Sequence, residues 1–105
     1  MAKNEEWWMA YHAISKKTLP LIKTLRAEGN GYPSTIVEDL GAKMVGLSDE
    51  DMDVMMGAWN EVLDKIIFAH QSIVDENDWE YDAVVAPRVY EGLALFGKYY
   101  TSLWD

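Results

Sequence analysis

The chain has 105 residues, half of them apolar, which is the size of one domain with material for a single core. Its formal charge of −9 is unevenly spread: five Lys/Arg face three Asp/Glu in residues 1–33, and four face fifteen in residues 34–105. That balance argues against nucleic-acid backbones and anionic membranes, which need Lys/Arg clusters; the lack of cysteine excludes disulfides and thiolate chemistry, and no run reaches the ~18 apolar residues of a membrane span.

Taken in chain order, the pattern predicts one all-α domain over residues 1–105, a small bundle of four or five helices. The N-terminus carries Glu5 and Glu6 where a signal peptide has its apolar stretch, so no signal peptide is expected. A first helix over about residues 3–17 has Trp7, Trp8, Tyr11 and Ile14 at helical spacing. Trp7 and Trp8 diverge by about 100° on such a helix, so both cannot face one core. Thr18 can cap a second helix with Pro20 in its first turn, where a missing N–H costs little. Leu21, Ile22 and Leu25 then form one stripe; alternatively the two helices are one, kinked at Pro20. Gly29-Asn30-Gly31 ends it, and Tyr32-Pro33 extends the break. Thr35-x-x-Glu38 reads as a capping box for a short helix ending near Gly46, and Ser48-x-x-Asp51 as another.

The helix after Ser48 has the clearest pattern, over about residues 49–74. Met52, Met55, Met56, Trp59, Val62, Leu63, Ile66, Ile67, His70, Ile73 and Val74 recur at steps of three and four and define one wide apolar face. Asp75, Glu76, Asn77, Asp78, Trp79, Glu80, Tyr81 and Asp82 form a loop or a frayed extension. Pro87 opens a last helix over about residues 87–103, with a packing seam at Val89, Leu93, Phe96, Tyr100 and Leu103. Gly92 and Gly97, inside it, point to a close helix crossing. No strand and no internal repeat is expected.

Each cluster that could carry chemistry has a purely structural competitor. Glu61-x-x-Asp64 sets two acids on one helical face, as in helical pyrophosphatases that hold Mg²⁺ with converging carboxylates. The rest of that arrangement is defective here, and a solvated face with a Glu61–Lys65 pair explains the residues as well. These two are weak metal candidates only; no metal or other cofactor is expected. Asp49-x-Asp51-x-Asp53 opens like a calcium loop, but Val54 stands where the turn needs glycine and Asn60 where a bidentate Glu is needed. His12 and His70 have no cysteine or third histidine to complete a zinc site; His70, on the apolar face, is expected as a hydrogen-bonded core residue. Ser15, Ser34, Ser48, Ser72 and Ser102 have cap or surface explanations. Met52, Met55 and Met56 fit core filling better than a partner patch.

The candidate binding surface is Asp75, Glu76, Asp78, Trp79, Glu80, Tyr81 and Asp82, with Trp7 from the N-terminus. Carboxylates there suit a basic partner, and Trp and Tyr are enriched at interface centres. Trp79 either folds back onto the core or presents itself to that partner.

Four runs carry a resemblance: Leu19-Pro20-Leu21-Ile22-Lys23, Gly31-Tyr32-Pro33, the WNEVLDKII of residues 59–67, and the EGLALFGKYYTSLWD of residues 91–105. Together they resemble a family of small acidic bacteriophage-encoded proteins. Members carry a motif like W-D-E-I-L-D-K-M-I-W-A-F-E, an acidic loop, and an ending like E-G-L-x-L-F-x-K-Y-F-x-x-L-W-D. The chain departs by an insertion-like stretch over about residues 34–57, and by Phe68 and His70 where the pattern has Trp and Phe. The resemblance implies a phage protein made in the host bacterial cytoplasm, and it carries over no catalytic residue. The expected function is therefore non-enzymatic: an accessory protein that binds a host or phage protein with a basic patch, as an inhibitor of a host defence, with homo-oligomer formation a further expectation. Competing expectations are an oligomeric sponge for a nucleotide-like signal, a virion or assembly component, and a Mg²⁺-dependent all-α phosphohydrolase.

Overall fold

The structure, a computed structural model, describes residues 10–29, 31–33, 36, 48–76 and 78–103. Among these there is no strand. Three α-helices, α1 (Ala10–Glu28), α2 (Asp49–Asp75) and α3 (Val85–Lys98), are accompanied by 3-10 turns at Trp79–Tyr81 and Tyr100–Ser102.

The all-α expectation holds, while four or five helices becomes three α-helices among the described residues. Of the two readings around Thr18, the single helix is the one found, with Pro20 inside it. A mid-helix proline removes a backbone hydrogen bond and costs about 3 kcal/mol. The helix nonetheless continues, because its buried stripe of Ser15, Leu19 and Ile22 spans the proline at steps of four and three. Leu21, expected in that stripe, is 70% exposed. The helix expected between Thr35 and Gly46 lies, apart from Ile36, outside the described residues, as do residues 3–9 of the first helix.

α2 begins as its sequence dictates. Ser48 Oγ accepts from the Asp51 N–H at 3.1 Å, and the Ser48 N–H donates to Asp51 Oδ2 at 3.2 Å, a reciprocal cap that satisfies two otherwise orphaned donors. Its inner face buries Met55, Trp59, Val62, Leu63, Ile66, Ala69, His70 and Ile73.

α3 starts two residues before Pro87, because Asp82 caps it: Asp82 Oδ1 accepts from the Val84 N–H at 2.8 Å and the Val85 N–H at 3.0 Å. It ends at Lys98, before the expected Leu103. The change to a 3-10 turn shifts the side-chain phase, so Tyr99 is buried edge-on against Trp59 at 5.5 Å. Tyr100, expected in the seam, is 63% exposed.

α2 lies at the centre, and both other helices run antiparallel to it. Along α3 the partners are Trp59 with Tyr99, Lys65 with Glu91, and Phe68 with Arg88, so one numbering rises as the other falls. Along α1, Arg26 meets Asp64 and Ser15 meets His70. Gly92 is where α2 and α3 come closest. A Cβ added there would lie 2.6 Å from the Ala69 Cβ and would collide with the Lys65 backbone. Gly97 has no atom near its missing Cβ, so only Gly92 serves the expected crossing.

Candidate functional site

The described residues of the acidic segment are tied to the helices at both ends. At its start, the Glu76 N–H still donates to the Ser72 carbonyl, and Gln71 Nε2 donates to Asp75 Oδ2 at 2.7 Å. A 3-10 turn follows, with the Tyr81 N–H donating to the Asp78 carbonyl and the Asp82 N–H to that of Trp79. At its end, Asp82 caps α3. The Val85 and Val84 amides hold its carboxyl below the usual carboxylate range, because hydrogen bonds favour the charged form.

The predicted surface residues therefore divide. Asp75, Glu76, Asp78, Glu80 and Asp82 are all exposed, and Tyr81 projects with 89% of its surface in solvent. Trp79 is not presented to a partner: it folds back and is 4% exposed. It packs edge-on between Tyr11 of α1, at 6.4 Å, and Tyr90 of α3, at 5.5 Å. The exposed ring of the turn is thus Tyr81 alone. Trp7 lies outside the described residues.

The weak metal candidates sit elsewhere, each beside a cation. Asp64 accepts from Arg26 Nε at 2.8 Å. Glu61 lies 3.6 Å from Lys65 Nζ, which also lies 3.4 Å from Glu91. They form surface ion pairs of the kind worth about 0–1 kcal/mol. Among the described residues no group of three or more His, Asp or Glu is placed to hold a metal ion.

Behind the acidic turn lies a feature that sequence reading missed. A cavity of about 440 Å³, widely open to solvent, lies between α1 and α3, with His70 and Ile73 of α2 among its lining residues. Tyr11 and Ile14 wall it on one side, Tyr90, Leu93 and Phe96 on the other, and Trp79 with Glu80 closes one end. Ser15 Oγ and His70 Nδ1 lie 2.8 Å apart at its base. Burial pushes the His70 imidazole down from its usual value, toward the neutral form. His70 is 2% exposed, and its Nε2 has no hydrogen-bond partner; the buried Trp79 Nε1 has none either. Among the described residues lining the cavity there is no lysine or arginine, so these offer nothing to neutralise a phosphate.

A larger apolar recess of about 510 Å³ continues along the same groove past Phe96, between Leu21 of α1 and Tyr100. Four separate stretches of chain build the cavity, and no local motif encodes it. The one readable signal is the placement of Tyr11, Trp79 and Phe96, each otherwise assigned to an ordinary helix face or loop. No helix among the described residues is long and apolar enough to cross a membrane. Searches against protein-family models, curated proteins and solved structures found no match.

Proposed function

We propose that this chain is a phage accessory protein that acts by binding, its acidic turn seating on a basic patch of a host or phage protein and so inhibiting it. The sequence resemblance is what supports a phage origin; a host defence protein is the target class that such an origin suggests.

One observation carries the reading. α2 ends on Asp75 and Glu76 with no basic residue in its last turn. The C-terminal end of a helix carries partial negative charge, so carboxylates there are destabilising and Lys or Arg would be favoured. Between Lys65 and Arg88 the chain has no lysine or arginine at all. Carboxylates placed against the local electrostatics, on a turn that Trp79 holds in shape and around an exposed Tyr81, are explained by a cationic partner that relieves them. Such complementarity speeds encounter and selects partners. The lack of cations among the described residues lining the cavity counts against a nucleotide sponge.

The test is capture from infected host cells with two baits, the wild-type protein and the variant Asp75→Asn/Glu76→Gln/Asp78→Asn/Glu80→Gln. A protein held by the wild type is expected to be lost from the variant. Its association rate is expected to fall roughly tenfold or more as salt is raised, the size of effect steering produces. Equal retention by both baits, or a rate indifferent to salt, overturns the reading.

A further inference from the structure

We propose that the cavity between α1, the Trp79 turn and α3 is a binding site for an uncharged, ring-bearing organic molecule that carries one hydroxyl group. This goes beyond the protein-binding reading and does not depend on it.

Size and walls come first. A volume of about 440 Å³ falls in the range of small-molecule pockets, roughly 300–1,000 Å³. The lining is chiefly apolar, and its rings meet at steep angles: Trp79 lies at 68° to Tyr11 and 65° to Tyr90, and Phe96 at 84° to His70. Rings set this way form corners in which a planar guest meets a face on one side and an edge on another, the arrangement that aromatic pairs favour.

Charge then narrows the guest. Among the described lining residues Glu80 is the one acid, and no lysine or arginine accompanies it. A phosphate or carboxylate would meet repulsion with nothing to offset it.

The unpartnered nitrogens narrow it further. Ser15 occupies Nδ1 of His70, which leaves Nε2 as the ring nitrogen without a partner. Trp79 Nε1 is a donor only, so it needs an acceptor. An ammonium group has donors alone and cannot serve it. A hydroxyl both accepts and donates, so it suits either nitrogen: it can take the indole N–H, or it can pair with Nε2 of His70 in either tautomer. Leaving such groups buried and unpaired is costly, so a guest that pairs one of them gains affinity. Both nitrogens are covered by neighbouring atoms, so contact requires a side-chain adjustment. Tyr11 and Tyr90, 45% and 55% exposed, are the rings beside Trp79 that lie outside the packed core.

The experiment titrates the full-length protein with four probes of matched shape: para-ethylphenol, ethylbenzene, para-ethylbenzylamine and para-ethylbenzoate. The indole N–H resonance of Trp79, identified by its loss in Trp79→Phe, reports the contact. Para-ethylphenol is expected to move that resonance and to bind roughly two- to tenfold tighter than ethylbenzene, the value of one neutral hydrogen bond. It is also expected to bind tighter than the amine, with the benzoate weakest. Ile14→Trp, a substitution at an exposed rim position, is expected to narrow the cavity and weaken every probe. An unmoved Trp79 resonance at saturation, no binding, or an amine, benzoate or ethylbenzene that binds as tightly as the phenol overturns the proposal. The affinity comparisons among the four probes use the wild-type protein alone, so they decide the matter whether or not a variant folds.

Discussion

Ser15 and His70 join helices 55 positions apart through one buried hydrogen bond. His70 meets its expectation as a hydrogen-bonded core residue, but Ser15 was legible only as a surface or cap serine. Its position four before Leu19 and seven before Ile22 marks the inward face of α1; a polar residue in the first place of that stripe hides the pattern. Ser15→Ala leaves the buried imidazole with neither ring nitrogen paired, and the expected loss is about 1–3 kcal/mol in urea denaturation. The same residue sets a pH dependence. The folded-state pKa of His70 lies below the ordinary value, which is about 6.5 in the unfolded chain. As pH falls, the unfolded chain takes up the proton first, so its population grows. The stability that His70 contributes is therefore complete above about pH 6.5 and is lost as pH falls below it. Urea midpoints measured from about pH 7.5 down to about pH 5 are expected to decline, and to decline less in His70→Asn.

At the scale of elements, what is local in sequence was readable and what depends on distant packing was not. The cap at Ser48 uses residues three apart, and the start of α2 follows from it. The end of α3 depends on Tyr99 reaching Trp59, 40 positions away, and no nearby residue announces it. Pro87 drew the expected start of α3 too late, although Asp82, a favoured capping residue type, was in view among the acids. The glycines of α3 separate the two kinds of information. Both look alike in sequence, yet only Gly92 lies against α2. Gly92→Ala is expected to cost about 1–3 kcal/mol, as overpacking does. Gly97→Ala is expected to gain about 0.5–1 kcal/mol, the usual advantage of alanine over glycine in a helix. Thermal unfolding of the two variants, compared with the wild type, checks both signs.

Over the whole molecule, charge is divided between elements. α1 carries Lys16, Lys17, Lys23 and Arg26 against Glu28, whereas the turn beyond α2 is uniformly acidic. The composition made that division legible; it could not show that Trp79 sits inside while Tyr81 faces out, because the two rings that hold Trp79 come from opposite ends of the chain. If the acids at the end of α2 serve a partner and not the fold, replacing one with a cation stabilises the isolated protein. Glu76→Lys is expected to raise stability by about 0.3–1 kcal/mol at low ionic strength while weakening partner capture. A loss of stability in that variant would show that Glu76 serves the fold instead.

The riveted indole has a consequence for cleavage. Exposed stretches of small and polar residues are the usual sites of nicking, and a segment with acids at 75, 76, 78, 80 and 82 offers an acid-specific endoproteinase many bonds. Here the backbone around Trp79 is wound into a 3-10 turn, and threading it through a protease cleft would require that ring to leave its seat. The folded chain is expected to resist digestion between Asp78 and Glu80, and Trp79→Ala to be cut there promptly, with fragment masses reading out the difference.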